Sequence, residues 1–315
     1  MSLDLFTRQI ITDALQAIGD EMFVALQRTS MSPIIYETLD FAVGVTDARG
    51  EIIAQGNGVI TFLGTLDAAV RAVLDRFGDD IAPGDCFITN DPYGGGGTHL
   101  SDVTLVHPVY ADGALLAFVA NKAHWTEVGG MAPGSFTTDS VEVYQEGIQF
   151  PTVRLGRDGE IDDSMLRLLE ANTRLPEQTL GDLWAGVAAN RVGTSRLEEL
   201  VDRYGAAEIQ AAMHELLDYG ESMVLAALRD LPKGKFRAAD RIDGDGHGSG
   251  PIDVCAEVTI TDESFVVDFT GSAPQTTGPI NSTRTSTESR ARAIFRAITA
   301  PNLPTNGGMF RPLTV

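Results

Sequence analysis

The densest chemistry in the chain lies in one glycine-rich turn, Asn90-Asp-Pro-Tyr-Gly-Gly-Gly-Gly-Thr-His-Leu-Ser-Asp102. Glycines let a backbone adopt positive φ and approach a ligand closely. The turn ends on His99 and Asp102, an imidazole and a carboxylate at a spacing that lets both hold one cation. A phosphate loop is excluded because the Gly-Lys-Ser/Thr ending is missing, and no G-x-G-x-x-G dinucleotide pattern occurs. The plainer alternative is a flexible turn with an incidental histidine.

A second histidine, His124, follows the strand-like run that starts at Ala114 and precedes Trp125-Thr-Glu-Val-Gly-Gly130. Pairing of Val103–Tyr110 with Ala114–Asn121 around Ala111-Asp-Gly113 as a hairpin brings His99, Asp102 and His124 to one end. Two imidazoles with carboxylates form a mixed nitrogen and oxygen set that suits Zn²⁺, Mn²⁺ or Fe²⁺. Asp40, Asp91 and Glu127 are candidates for the further carboxylate, with a turn or cap role as the alternative for Asp40. The remaining histidines carry less. His107 lies within a strand and reads as packed, and His214 lies beside Glu215 on a helix and reads as surface. Asp243-Gly-Asp-Gly-His247 opens like a calcium loop, but the position that needs a bidentate Glu holds Val254. Cys86, inside an apolar strand, reads as core.

The elements that must position these residues are legible in the apolar periodicity. Leu5 to Thr29 repeats apolar residues at three- and four-residue steps, a helix ended by Ser30 and Pro33. Phe41–Thr46 and Glu51–Gln55 flank Asp47-Ala-Arg-Gly50 as a hairpin, Leu66–Phe77 is a short helix, and Cys86–Thr89 is a strand. Glu127–Gly147 reads as an irregular loop. From Asp162 to Leu231 the period is helical, and from Lys235 strands return. The expected organisation is an α/β fold with mixed or antiparallel sheets and a helical subdomain. Residues 1–160 form an α/β metal-site region, 161–234 a helical region, and 235–315 a β-rich region. Phe310–Val315 reads as the start of a further element, so the chain is expected to be incomplete at its C-terminus, as a fragment or split gene product.

Composition bounds the class of function. The 315 residues are 43% hydrophobic and 21% charged, which excludes a disordered chain. With 23 basic against 44 acidic residues the net charge is −21, which disfavours nucleic acid and anionic membrane as partners. Two distant cysteines, Cys86 and Cys255, offer no disulfide framework and no C-x-x-C. Neither a basic, apolar leader at the N-terminus nor a run of about 18 apolar residues is present, so a cytoplasmic protein is expected.

Five ordered blocks carry a resemblance: Asn90-Asp-Pro-Tyr with Gly-Gly-Thr-His-Leu-Ser-Asp102, Ala123-His-Trp-Thr-Glu-Val-Gly-Gly130, Pro133-Gly-Ser135, Glu142-Val-Tyr-Gln-Glu-Gly147, and Asp268-Phe-Thr-Gly-Ser-Ala-Pro-Gln with Gly-Pro-Ile-Asn281. Together they resemble the hydantoinase B/oxoprolinase family over essentially the whole chain. The resemblance implies a metal-bearing catalytic subunit of an ATP-dependent cyclic-amide hydrolase acting on a hydantoin, 5-oxoproline or a lactam. It also implies a hetero-oligomer, in which a hydantoinase A-type ATP-binding subunit activates the carbonyl oxygen. One divalent metal (Mn, Zn or Fe) would be held by Asp40, His99, Asp102 and His124, the set reached above. That ion would lower the pKa of bound water towards about 7 and stabilise oxyanion charge. Glu127 and Glu142 become candidate general bases by proximity in sequence, and Trp125 and Tyr93 candidate pocket walls, with ordinary packing as the alternative. The alternatives to hydrolysis are a ketone carboxylase of the acetone or acetophenone type and a truncated, non-catalytic scaffold subunit. The chain departs from the family in two ways: members are commonly much longer, and a second histidine often stands where this chain has Trp125.

Overall fold

The computed structural model describes residues 5–56, 58–62 and 64–315. Met1 to Asp4, on which the expectation of no leader rests, lie outside the described residues. Helices α1 (Leu5–Thr29) and α2 (Pro33–Tyr36) precede β1 (Phe41–Asp47) and β2 (Ile52–Gln55). Then come α3 (Leu66–Phe77), β3 (Cys86–Thr89), β4 (Asp102–Ala111), β5 (Ala114–His124), β6 (Val153–Arg157) and β7 (Glu160–Ile161). Helices α4 (Asp163–Asn172), α5 (Pro176–Tyr204) and α6 (Ala206–Asp230) follow, then β8 (Gly234–Ile242), β9 (Ile252–Ile260), β10 (Phe265–Asp268), α7 (Arg284–Thr299) and β11 (Leu313–Thr314). No described helix is long and apolar enough to cross a membrane.

The first seven strands form one antiparallel sheet in the order β2-β1-β5-β4-β3-β6-β7. Both faces are covered, so β1 is buried at every residue. Successive side chains nevertheless alternate between two cores. Val43, Val45 and Val119 face a helical layer, whereas Ala42, Phe118 and Ala120 face α3. In α1 the buried residues Ile11, Leu15, Ile18, Met22 and Leu26 recur at steps of three and four and make one stripe against the sheet and α5. Helix α5 seats closely because it presents glycine: a Cβ at Gly193 would stand 2.5 Å from the Met22 sulfur. Asn121 and Asn190 lock that contact, with Asn121 Nδ2 donating to the Gly186 carbonyl at 2.8 Å and Asn190 Nδ2 to the Leu105 carbonyl at 3.2 Å. The helices after residue 161 are thus a layer on the sheet, and one continuous core runs from Ile11 to Leu217.

A smaller sheet, β11-β10-β9-β8, is antiparallel except where β11 joins β10 in parallel. It packs with the end of α6 and with α7 around Val224, Leu228, Phe265, Phe295 and Met309. Helix α7 is a correction to the purely strand-like reading of this region. It begins Arg-Thr-Ser-Thr-Glu-Ser and buries only Ser289, Ala291 and Phe295, so it lacks the apolar stripe that marks the others. Strands β6 and β7 and the single turn α2 also escaped the sequence reading; β7 and α2 are too short to show a period, and β6, Val-Arg-Leu-Gly-Arg, mixes charged residues and glycine into its five positions.

Candidate metal centre

Pairing of β4 with β5 decides the site. Asp102 opens β4, His124 closes β5, and the two are direct register partners. Strand β1 lies on the other side of β5 with Phe41 opposite Ala123, which carries Asp40 to the same end. There the His124 amide donates to the Asp40 carbonyl at 3.0 Å. Asp40 arrives through a tight reversal in which Leu39 takes a φ of 60°. The segment before it is pinned by the buried Asp182 of α5, which accepts from the amides of Met31 at 2.7 Å and Ser32 at 3.1 Å.

His99 comes from the glycine turn, whose flexibility is only apparent. A Cβ at Gly95 would lie 2.2 Å from Thr89 Oγ1, at Gly96 2.5 Å from the Ala69 amide, and at Gly97 2.4 Å from the Asn90 carbonyl. Each glycine is needed for close approach, and Gly96 also adopts a φ of 70°. Buried Asn90 fastens the turn at both ends, donating to the carbonyls of Leu100 at 2.7 Å and Ile148 at 2.9 Å and accepting from the Phe150 amide at 2.7 Å.

The side chains converge on Asp102, which is 2% exposed. His124 Nδ1 is 3.2 Å from its Oδ1 and His99 Nε2 is 3.3 Å from its Oδ2, while the Thr98 hydroxyl also donates to Oδ2. Asp40 Oδ2 lies 3.9 Å from His124 Nδ1, and the two imidazole rings are 4.9 Å apart between centroids. Burial opposes ionisation of Asp102, but the hydrogen bond from His124, the charge of His99 and the Thr98 hydroxyl outweigh it and hold the carboxyl below its usual range. Asp40 moves upward, through desolvation and then the neighbouring Asp102 charge. Desolvation lowers His99 and favours the neutral imidazole that a metal takes as ligand.

These residues fit a borderline divalent ion. Donor atoms of His99, Asp102 and His124 all lie within 4.8 Å of one another. Bonds of about 2.0–2.2 Å to nitrogen and oxygen in a tetrahedral shell require donors roughly 3.3–3.6 Å apart. The contacts of 3.2 Å to Asp102 Oδ1 and 3.3 Å to Asp102 Oδ2, and of 3.9 Å between Asp40 and His124, lie near that value. A harder ion that takes oxygen ligands alone would, by contrast, leave two imidazoles without a role.

Several sequence candidates stand apart from this cluster. Glu127 is 1% exposed and fully engaged: Oε1 accepts from the Gly129 amide at 2.7 Å and Arg174 at 2.9 Å, and Oε2 from the Gly134 amide at 2.7 Å. Its bonds shape the following loop. Glu142 is exposed and caps the helical turn Val143–Gln145 in a reciprocal capping box. Asp91 Oδ1 accepts from the Tyr93 amide and Gln149, both at 2.9 Å. Trp125 is buried at 2% exposure and packs in the main core, whereas Tyr93 is 76% exposed. Cys86 is buried core and its thiol is pushed upward by desolvation. His214 is exposed, and His247 Nε2 lies 2.8 Å from the Thr138 carbonyl, joining two loops. Thr98 and Lys122 were missed by sequence reasoning. The only signal for Lys122 was a charged residue within the strand-like run before His124.

Comparison with known proteins places the chain in a family. The beta chain of a caprolactamase from Pseudomonas jessenii is 33% identical over all of this chain and 54% of its own length. The B component of a putative D-/L-hydantoinase from Pseudomonas sp. (strain NS671) is 31% identical over 99% of this chain and 55% of its own length. The chain therefore spans about half the length of these curated relatives. The crystal structure of the ATP-dependent caprolactamase from Pseudomonas jessenii superposes with a TM-score of 0.92 at 31% identity, over all of this chain and 54% of that one. A nucleotide-free acetone carboxylase shares the fold with a TM-score of 0.91 at 19% identity, over 98% of this chain and 42% of that one. The hydantoinase B/oxoprolinase model matches residues 4–315, and the chain belongs to that family.

Proposed function

We propose that this chain contributes the metal-binding site of an ATP-dependent hydrolase that opens a cyclic amide, working beside a separate hydantoinase A-type partner that takes ATP. The observation that carries the reading is the meeting of His99, Asp102 and His124, with Asp40 alongside, at one end of the β4-β5 hairpin. An amide resists attack because nitrogen donates into its carbonyl and leaves poorly. Phosphorylation of the enol oxygen by the partner would supply a leaving group and expose an electrophilic carbon. A divalent ion, when bound, supplies acidified water and charge for the developing oxyanion. The protein's own task is to hold the donors: His99, whose neutral form desolvation favours, and His124 on the neighbouring strand, with the buried Asp102 carboxylate between them.

Asp40, half-buried and 3.9 Å from His124 Nδ1, would complete the donor set. Glu127 and Glu142 are the proposals for general base, although one is tied into the following loop and the other caps a turn. The names of the relatives above 30% identity point to a lactam or hydantoin rather than a ketone. Turnover with ATP, the cognate partner, and either caprolactam, a hydantoin, 5-oxoproline or a ketone with bicarbonate tests the assignment. Ring-opened acid is expected, at a rate that Asp102→Ala and His124→Ala lower at least 100-fold together with bound metal. Turnover that depends on bicarbonate would replace hydrolysis by carboxylation. Metal-free wild type with unaffected variants would leave a scaffold role.

A further inference from the structure

Strand β5 carries a second functional candidate two residues before His124. Lys122 is 0% exposed, and no carboxylate among the described residues comes within 4.0 Å of its ammonium. A lysine in that condition is rare, because removing the charge from water costs several kcal/mol unless it is paired. Lys122 instead donates to the carbonyl of Gly96 at 2.7 Å and lies 5.7 Å from the centre of the Phe62 ring. Packing alone would be served as well by methionine, which fills the same volume without the charge. The one acceptor among the described residues lies in a telling place. Gly96 is three residues before His99, in the turn that glycine packing holds against α3, and Lys122 stands in register with Thr104 of β4 and Ala42 of β1.

We propose that Lys122 is a positioning residue of the metal centre, whose bond to the Gly96 carbonyl fixes the loop that presents His99 relative to the strand that presents His124. It does not touch the metal or the substrate. The two histidines come from separate chain segments that also meet through Asp102, the paired strands and the Trp125 amide, which donates to the Ser101 carbonyl at 2.8 Å; the Lys122 bond adds a tie on the N-terminal side of His99 and so restrains that loop before any ion arrives. Groups bonded directly to metal ligands typically change metal affinity 10–100-fold, and a tie one step further out is expected at the lower end of that range.

The inference rests on the metal-centre reading, and calorimetric titration of the 315-residue chain with Zn²⁺ and Mn²⁺ separates the two. Lys122→Met is expected to melt cooperatively yet bind the ion at least tenfold more weakly, with a smaller rise in Tm on metal addition. Lys122→Gln, which keeps one donor for the Gly96 carbonyl, is expected to recover part of the loss and serves in its place if the methionine variant does not fold. Affinity within twofold of wild type in both variants overturns the proposal. So does weaker binding explained wholly by a smaller folded fraction. Failure of the metal reading looks different: wild type takes up no ion, or Asp102→Ala binds it as wild type does.

Discussion

Asp102 shows how one carboxylate can be made to serve several partners: two imidazoles and a hydroxyl surround it where water cannot compete. His107, five residues along the same strand, shows the opposite condition. Its Nε2 is buried without a partner, and desolvation pushes the imidazole down to about 4. Folded His107 is therefore neutral down to that value, while the unfolded residue takes a proton near 6.5. Stability from this group is whole above pH 6.5 and is lost as pH falls towards 4, by up to about 3 kcal/mol. Urea midpoints measured at pH 7 and pH 4.5 should converge in His107→Phe relative to wild type. An equal acid-side drop in both proteins would remove His107 as a cause. Triad residues could be placed from sequence because Asp112 and Gly113 signal the hairpin that pairs their strands. Nothing comparable announced Thr98 or Lys122, whose partners are a side chain and a backbone carbonyl rather than a pattern.

Among the connecting elements, the loop after β5 depends on Glu127. Besides its amide contacts it meets Arg174, and its own carbonyl accepts from the Thr179 hydroxyl at 3.0 Å. Glu127→Gln would turn an amide group towards backbone donors and the guanidinium. A loss of about 2–3 kcal/mol in unfolding free energy is expected. A catalytic base would behave otherwise, losing kcat with little change in Tm, so chemical denaturation of this variant beside its activity decides between the roles. Sequence proximity suggested a base because Glu127 follows His124 closely. Its partner Arg174 lies 47 residues further on, across the start of the helical layer, where no local reading reaches. Regular elements such as α1, α3 and the β4-β5 hairpin were legible because burial enforces their period. Helix α7 was not, because it buries one large side chain, Phe295.

At the scale of the molecule, the smaller sheet is fastened to the larger by ions and hydrogen bonds as well as by its core. Arg311 meets Glu51 at 2.9 Å, Asp218 at 3.0 Å and Glu221 at 2.9 Å, and so joins the first hairpin, α6 and the C-terminal segment. Arg292 reaches Asp67 at 3.0 Å, and Thr283 donates to the Gly97 carbonyl at 3.3 Å. Partial exposure screens the Arg311 cluster, so Arg311→Met should cost only about 1 kcal/mol, a fall in Tm of roughly 2–4 °C. That difference should shrink in 1 M salt; a gap indifferent to salt would assign it to packing instead. Such long-range clamps were invisible in the sequence, where the acidic excess reads as solvated surface.

The four glycines beside His99 carry a consequence for binding. A glycine-rich segment loses more conformational entropy on ordering than any other, and a mobile loop would have to lose it when the ligand arrives. Here three of the four are wedged against neighbouring backbone and side chains that leave no room for a Cβ. That entropy is lost once, during folding. The turn is preorganised, and an incoming ion or substrate does not have to order it.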